Sequence, residues 1–334
     1  MSVLSKSSGT RLAFALFLLL IVMLFALKAG SVTLSWSEFA SLLFHPFSAN
    51  EMQRLVVFQL RLPRILFAAL VGAALALSGT AMQALFRNPL AEPGLVGISA
   101  GAAAGTVLAL TLGFTGLLWT GVAGFAGGLM AIATAYVLGR KFAGLAGMLL
   151  AGIAINACAM SVVSLMITYA SDSQLRSFTF WSLGSLTRAN WTWVMAMLPW
   201  TLFWSCVICF KWRVLNALLI GEREAHHLGF DLIKTRRIMM VAIALLVGPL
   251  IAVTGGVAFV GLVIPHMIRM RMGSDHRLLL PMSALIGATA LVLADWLSRV
   301  VVLPAELPVG VVTSMVGGPY FLWMLARLRK TGSE

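Results

Sequence analysis

The chain has 334 residues, of which 60% are hydrophobic and only 10% are charged, and its mean hydropathy is +0.97. This composition excludes a soluble enzyme or a soluble binding module, which would need a far more polar surface, and indicates a polytopic membrane protein. The net charge of +13 does not imply a nucleic-acid partner, and we predict none, because membrane proteins retain Lys and Arg in their cytoplasmic loops.

Apolar runs bounded by charge, proline or glycine predict ten membrane-spanning helices, since one span needs about 20 mostly apolar residues. The eighth is the shortest and contains Gly261 and Pro265. We therefore expect an all-α fold in which residues 1–334 form a single transmembrane domain. The predicted spans are 12–27, 65–86, 95–112, 117–138, 148–169, 191–210, 238–253, 257–268, 278–302 and 309–325.

The basic residues predict the orientation of these spans. If both termini are cytoplasmic, 17 of the 24 Lys and Arg residues lie inside and seven lie outside, which is the bias expected of cytoplasmic loops. The charged segment 211–237 then lies in the cytoplasm. We expect the first apolar run, which follows Lys6 and Arg11, to be an uncleaved span and not a signal peptide, because the chain begins at Met1.

Two short stretches suggest internal symmetry. Residues 76–79 (ALSG) and 252–255 (AVTG) each place a proline ten residues after the glycine, at Pro89 and Pro265. They lie at the ends of spans 2 and 7, which run in opposite directions. An inverted repeat of spans 2–5 and 7–10 would produce this echo.

Glycines are dense in spans 3 and 4, where small residues let helix backbones approach closely. We expect these two spans to pack tightly. The glycines are Gly94, Gly97, Gly101, Gly105, Gly121, Gly124, Gly127 and Gly128.

Two motifs could carry chemistry. Residues 97–101 match the GxSxG pattern of serine hydrolases, but Ser99 lacks the strand-to-helix turn of that motif, and His266 is the only histidine in or near a span. Cys206 and Cys209 form a CxxC in an apolar helix, a setting that does not support a thiolate or zinc site. We predict no catalytic residue and no metal site, and an intramembrane serine hydrolase remains a remote alternative.

Acidic residues are missing from the middles of the predicted spans. The nearest is Asp295, in the outer part of span 9, four residues before Arg299 and therefore at the spacing of a helical ion pair. Ion-coupled transporters usually carry intramembrane carboxylates. A proton-coupled secondary transporter is therefore a second remote alternative, and the energy for any transport is expected from a partner.

The segment 211–237 carries six of the 24 basic residues and three of the 11 acidic ones. We predict that Asn216 caps a short helix, Gly221 interrupts it, and Gly229 ends a second helix. Such a bent helix pair suits a groove on another protein, and a solvated loop is the alternative. Apolar residues occur at near-helical intervals beside the charges, at Leu215, Leu218, Leu219, Ala225, Leu228 and Leu232.

Six stretches of the chain match motifs of a single protein family. They are RLPR at 61–64, NPLAEPGLVG at 88–97, LNALLIGEREAHHLG at 215–229, GFDL at 229–232, FVGLVIPH at 259–266 and AELPVGVVT at 305–313. They resemble the FecCD-type permeases, the membrane subunits of ATP-binding-cassette (ABC) importers for iron chelates, heme and cobalamin. The resemblance covers nearly the whole chain after the first span. Within the family, the chain is most similar to heme-uptake permeases.

The resemblance implies a homodimer of ten-helix subunits in the bacterial inner membrane, with the translocation path at its centre. It also implies two cytoplasmic ATPase subunits and a periplasmic binding protein. ATP would be used by the ATPase, so the permease would be no enzyme and would hold no cofactor of its own. Heme is the expected substrate, with ferric siderophore and cobalamin as alternatives.

The resemblance also implies two sets of site residues, and the chemistry of the side chains suggests a third. Arg61, Arg64 and Arg299 would dock the binding protein, because arginine pairs well with carboxylates, although headgroup anchoring also fits Arg61 and Arg64. Met166, Tyr169 and Arg176 are soft and cationic groups that we predict along the path of an anionic planar ligand. The residues predicted to couple to the ATPase are Gly221, Glu222, Glu224, Ala225, Leu228 and Gly229.

Overall fold

The structure is a computed structural model that describes residues 2–30, 32, 34–44, 50–114, 116–141, 144–302 and 305–331. These residues form helices joined by short connections, and no strand occurs among them. A π-helical turn at Leu55–Arg61 and a 3-10 turn at Pro93–Val96 supplement the α-helices. The α-helices are α1 (Ser2–Lys28), α2 (Trp36–Phe44), α3 (Glu51–Arg54), α4 (Leu62–Leu85), α5 (Ile98–Thr111), α6 (Leu117–Lys141), α7 (Gly144–Tyr169), α8 (Asp172–Ser182), α9 (Trp191–Cys209), α10 (Trp212–Ile220), α11 (Glu222–His227), α12 (Leu232–Thr254), α13 (Val260–Met272), α14 (His276–Val300) and α15 (Val309–Thr331).

Seven helical stretches in the described residues are long and apolar enough to cross a membrane. Two shorter apolar helices, Ile98–Thr111 and Val309–Met324, correspond to the predicted spans 3 and 10. The predicted eighth span is α13, which has only 13 residues. The all-α class is therefore confirmed, and the count of ten spans stays a prediction. The seven stretches are Ser8–Lys28, Glu51–Leu85, Leu117–Gly139, Gly147–Tyr169, Trp191–Cys209, Leu232–Thr254 and His276–Val300.

The packing of the helices repeats when the two halves of the chain are exchanged. Helix α4 packs on α14 as α12 packs on α6, and α5 packs on α6 as α13 packs on α14. Helix α7 packs on α6 as α15 packs on α14. These are the pairings that a repeat of α4–α7 and α12–α15 predicts.

Glycine contacts hold these helix pairs at close range. A Cβ added at Gly101 would meet the backbone of Gly127, and one added at Gly105 would meet the backbone of Ala123. The predicted tight packing of spans 3 and 4 is therefore confirmed. Helices α4 and α14 cross in the same way, where a Cβ at Gly72 would meet the carbonyl of Gly287.

The echoed tetrapeptides do not occupy equivalent positions. Gly255 directly follows α12 and has φ of 74°, so the prediction that this stretch ends its span is confirmed. Gly79 lies inside α4, well before Leu85, and the same prediction is wrong for residues 76–79. Gly79 does not end the helix but allows α4 to pack closely on α13, because a Cβ at Gly79 would meet the backbone of Gly261.

Candidate functional site

The segment 211–237 folds as two short helices, α10 and α11, followed by the first turn of α12. Gly221 separates them with φ of 153° and ψ of 161°, a conformation essentially restricted to glycine. Gly229 follows α11 with φ of 86°. The two predicted helix breaks are therefore confirmed.

The prediction that Asn216 caps the first short helix of the segment is wrong. Helix α10 begins one turn earlier, after Lys211, so Asn216 lies in its interior. Its side chain instead contacts the N-terminus of α14. The Nδ2 atom donates to Asp275 Oδ1 at 2.7 Å, and the Oδ1 atom accepts the backbone N–H of His276 at 2.8 Å. In the sequence, Asp275 just before span 9 indicates a capped helix, but it does not indicate that Asn216 contacts this cap.

The segment has an inner face and an outer face. Leu215, Leu218 and Ala225 are buried against the helix bundle. On the other side, Leu219, Ile220 and Leu228 are 47%, 68% and 62% exposed. Exposed apolar side chains beside charged residues are typical of a surface that enters a groove on another protein.

The remaining predicted coupling residues lie close together around Gly221. Glu222 pairs with Arg236 of α12 at 2.7 Å, which joins α11 to the bundle. Glu224 is exposed, and its carboxylate lies against Gly221, where an added Cβ would meet it. Ala225 is fully buried, while Leu228 and Gly229 are exposed. The structure thus brings the six residues together but points only some of them outward.

A second polar cluster lies at the predicted outer ends of α4 and α14, and Asp295 is at its centre. Arg64 Nε donates to Asp295 Oδ1 at 2.7 Å, and Arg64 Nη1 donates to Glu306 Oε2 at 2.8 Å. The Arg299 Nε atom lies 3.1 Å from Asp295 Oδ2 while its N–H points at the Asp295 carbonyl, 3.3 Å away. The predicted Asp295–Arg299 ion pair is therefore present.

Arg61, which lies near this cluster in sequence, and Arg299 both donate hydrogen bonds to the C-terminal end of α1. Arg61 donates to the carbonyls of Leu27 and Lys28 at 3.0 and 2.6 Å. Arg299 donates to the carbonyls of Ala26 and Ala29 at 3.1 and 3.3 Å. The last carbonyls of a helix have no partner within it and carry partial negative charge, so buried guanidinium groups stabilise them.

The three predicted docking arginines therefore differ in how accessible they are to a partner protein. Arg61 and Arg299 are only 6% and 5% exposed, and their donors are directed into the chain. Arg64 is also largely buried, but it extends to Glu306, which is 40% exposed. Both residues border a surface cavity of about 270 Å³ that also includes Arg188, whose side chain is exposed and forms no ion pair among the described residues.

A larger cavity of about 1020 Å³ lies among α5, α7, α8, α13 and α15. Its wall is mainly apolar, with Met160, Trp181, Val257 and Met315 among the lining residues. Cavities of this size and polarity hold drug-sized ligands, and the few polar groups in their walls fix orientation.

The polar groups of this cavity are grouped around Gly94. Asn156 Nδ2 donates to the Gly94 carbonyl at 3.2 Å, and its buried Oδ1 atom has no partner among the described residues. A Cβ at Gly94 would lie 3.5 Å from Glu92 Oε1 and 3.7 Å from Ser99 Oγ. Burial raises the pKa of the Glu92 carboxyl, which has no ion pair in the described part of the chain. Glu92 lies within the family-like stretch 88–97, but neither Glu92 nor Asn156 was predicted as a site residue.

The three predicted path residues are absent from the described wall of this cavity. Met166 packs beside α5, where its sulfur accepts a hydrogen bond from Thr111 Oγ1 at 3.6 Å. Tyr169 is 78% exposed at the end of α7, and Arg176 is exposed on α8. The role of these three residues along a path stays a prediction, and the cavity is lined by other residues.

The geometry does not support a serine hydrolase. Ser99 lies in the cavity wall, but its hydroxyl forms no hydrogen bond with a histidine among the described residues. His266 is buried in α13, and its imidazole ring likewise has no hydrogen-bond partner in the described ranges. A nucleophilic serine requires a base within hydrogen-bonding distance.

Comparison with known protein families and curated proteins gives a consistent result. The profile of the FecCD transport family matches residues 18–327. The hemin transport system permease protein HmuU of Yersinia pestis is 43% identical over 333 residues, covering 96% of this chain and 97% of that protein. The vitamin B12 import system permease protein BtuC of Escherichia coli O9:H4 is 39% identical over 317 residues, covering 94% of each.

Comparison with solved structures supports the same fold. A metal-chelate type ABC transporter in an inward-facing conformation matches with a TM-score of 0.86 and 32% identity. The match covers 96% of this chain and 99% of the solved one.

Proposed function

This chain belongs to the FecCD transport family and is the permease type of subunit of an ABC importer, and we propose that it moves heme across the bacterial inner membrane. In this proposal it works as a homodimer with both termini in the cytoplasm. It receives heme from a periplasmic binding protein and is driven by two cytoplasmic ATPase subunits. Permease subunits of this family are not themselves enzymes, so hydrolysis belongs to the partner.

The observation that carries the proposal is the exposed face of α10 and α11. Charged residues are not expected beside an apolar surface that lies in the membrane, and several exposed leucines are not expected in a loop that only contacts water. Here Leu219, Ile220 and Leu228 are exposed within a few residues of Glu224 and Arg223. A partner with an apolar groove and a charged rim fits this surface, as an ATPase subunit would.

The proposal assigns different roles to the three outer arginines. Arg64 would form the direct contact, with a carboxylate of the binding protein replacing or joining Glu306 beside Arg188. Arg61 and Arg299 would support that contact by holding the end of α1 against α4 and α14. Bidentate guanidinium–carboxylate pairing would give such docking its geometric specificity.

Heme is favoured as the substrate by the extent of the similarity. The hemin permease is 43% identical over 96% of this chain, whereas the vitamin B12 permease of Escherichia coli O9:H4 is 39% identical over 94%. The large apolar cavity would accommodate a planar macrocycle, and its flexible Met160 and Met315 suit such a ligand. Cobalamin and ferric siderophore are the competing substrates.

In the proposed cycle, ATP-driven closure of the ATPase dimer pushes on α10 and α11 and rocks the two repeats against each other. The cavity between α5, α7, α8, α13 and α15 would then open alternately to the two sides. In this proposal the driving force comes from ATP that the partner subunits hydrolyse.

Uptake by reconstituted vesicles tests this function. The permease and its ATPase subunit are incorporated into vesicles with ATP inside, and the matching binding protein is added outside with heme, cobalamin or a ferric siderophore. We expect accumulation of heme that requires ATP and is lost in Leu228→Glu, a substitution on the exposed face. The matched control, Ile233→Glu, changes another exposed apolar residue outside α10 and α11 and should retain uptake.

Each contrary result excludes a different part of the proposal. Accumulation of cobalamin or siderophore alone would exclude heme while keeping the importer class. Accumulation under a proton gradient without ATP would favour a secondary transporter. Normal uptake and normal ATPase binding in Leu228→Glu would exclude the coupling role of this surface.

A further inference from the structure

We propose that Asn216 is a positioning residue that transmits the movement of α10 to α14, and through α14 to the predicted outer face. This inference rests on the proposed function, because it concerns how the push of the ATPase reaches the bundle. The residue is half-buried on the side of α10 that meets α14 and is not one of the predicted ATPase-coupling residues. Its role is argued from its contacts with the first residues of α14.

The amide of Asn216 forms part of the N-terminal cap of α14. Asp275 caps this helix, its Oδ1 accepting the backbone N–H of Arg277 at 3.0 Å. The same Oδ1 atom accepts Asn216 Nδ2 at 2.7 Å, while Asn216 Oδ1 accepts His276 N–H at 2.8 Å and lies 2.9 Å from His276 Nδ1. One side chain thus bonds both to the cap and to the first residue of the helix.

A second polar link, between α11 and α12, is of a different kind. Glu222 and Arg236 form an ion pair whose side chains are 42% and 19% exposed. Exposed ion pairs between long side chains hold position weakly, because water screens them and both side chains remain flexible. Asp275 is exposed, but the contacts of Asn216 with His276 are short, include a backbone N–H and involve a fully buried side chain. The Asn216 link is therefore the stiffer of the two connections.

Helix α14 connects this link to the rest of the molecule. Its 25 residues extend about 37 Å at 1.5 Å per residue, which is enough to cross the membrane. In its middle, Gly287 packs directly on Gly72 of α4. At its far end, Asp295 and Arg299 join Arg64 and the end of α1. A displacement at Asn216 would therefore reach the outer cluster through one continuous helix.

Such a connection makes a specific functional prediction. Energetic coupling between two sites is reciprocal and typically changes affinities by about 5–150-fold. Loss of the link should leave ATPase binding and hydrolysis intact but separate them from movement at the outer end of α14. A residue that merely stabilised α10 would instead reduce ATPase binding and protein yield.

The test compares four variants in the reconstituted complex. Asn216→Ala removes both bonds, and Asn216→Asp places a carboxylate against Asp275. The double variant Asn216→Asp with Asp275→Asn restores one donor and one acceptor in the opposite direction. Asn190→Ala is the matched control, because Asn190 also caps a helix: its Oδ1 accepts the backbone N–H of Trp193 at 3.0 Å at the start of α9, outside the segment 211–237. Thermal unfolding and gel filtration of every variant establish that it is folded.

Heme uptake per ATP hydrolysed is the first readout. We expect both single Asn216 variants to lose at least about tenfold in this ratio, while ATPase binding and hydrolysis change by less than about twofold. The double variant should recover most of the loss, and Asn190→Ala should stay within about twofold of the unchanged protein.

Labelling of Val302→Cys, just beyond the end of α14, is the second readout. Val302 is 44% exposed, and Cys158, Cys206 and Cys209 are first replaced by Ala. We expect ATP to change the labelling rate when Asn216 is present and to leave it unchanged in Asn216→Ala. Unaltered uptake per ATP in Asn216→Ala, or loss of ATPase binding in parallel with uptake, would overturn the proposal. Absence of ATP-dependent uptake in the unsubstituted protein would instead overturn the proposed function, and this inference with it.

Discussion

The two charged regions of the molecule, the segment 211–237 and the arginine cluster around Asp295, use their charges in opposite ways. Both are predicted from sequence as partner surfaces on opposite sides of the membrane. In the structure, the segment exposes Leu219 and Leu228 together with its charges. The cluster directs its guanidinium groups inward, to a buried carboxylate and to the end of α1. A charge in an apolar chain therefore does not by itself mark a surface.

The surroundings of each region explain the difference. Helices α10 and α11 are short and lie at the edge of the bundle, so one of their faces has no neighbour among the described residues. Arg61 and Arg299 lie next to the unsatisfied carbonyls that end α1. Because buried carbonyls cost free energy unless they are hydrogen-bonded, nearby guanidinium groups are drawn to them.

The largest expected effect comes from removing the centre of the outer cluster. Asp295→Ala would leave Arg64 and Arg299 buried without their shared counter-charge. Breaking a buried ion pair in this way costs about 3–5 kcal/mol of folding free energy. Thermal unfolding in detergent should show a large fall in Tm. The control is Glu306→Gln, which alters the exposed partner of Arg64 and should cost less than about 1 kcal/mol. Equal Tm values for the two variants would contradict the buried role of the cluster.

An intermediate effect is expected at the bend of the inner segment. Gly221→Ala places a side chain at φ of 153° and against the Glu224 carboxylate, with a strain of about 1–3 kcal/mol. We expect the segment to rearrange locally, so that binding of the ATPase subunit weakens while the Tm of the bundle changes little. Gly229→Ala is the matched control, since Gly229 also has positive φ but open space around it. Loss of affinity in Gly229→Ala equal to that in Gly221→Ala would show that shape at the bend is not decisive.

The smallest effect concerns Glu92, a half-buried carboxyl that lacks the partners of Asp295. Because burial raises its pKa above the ordinary 4.5, the folded protein binds this proton more tightly than the unfolded chain does. Stability should therefore fall as pH rises from 4.5 to the folded-state pKa and stay lowered above it. Glu92→Gln should flatten this dependence, raising Tm slightly at about pH 7 and leaving it unchanged at about pH 4. A lower Tm in Glu92→Gln at neutral pH would mean that the carboxylate has a stabilising partner.

Local features of the chain were predictable where one residue type has a strong conformational preference. Gly221 and Gly229 were placed at helix breaks because glycine alone adopts such backbone angles easily. The Asp295–Arg299 pair followed from helical spacing, and the start of α9 at Trp191 followed from the boundary of an apolar run.

Contacts between distant segments were not predictable in this way. Asn216 is a good capping residue by type, yet it contacts Asp275 and His276 because α10 crosses the start of α14. Met166 has a suitable side chain for a path, but the rotation of α7 turns it towards Thr111. A single sequence carries no record of which helix faces meet.

The sequence by itself determined the membrane class, the all-α fold, the family and the position of the charged segment, because composition, apolar periodicity and long motifs are local properties of the chain. Only the tertiary structure decided which charged and polar groups remain available. It enclosed Arg61 and Arg299, left Leu228 exposed, gathered Glu92 and Asn156 around one cavity, and joined Asn216 to α14. The physical reason is that hydrogen-bond satisfaction and close packing depend on pairs of helices far apart in the chain.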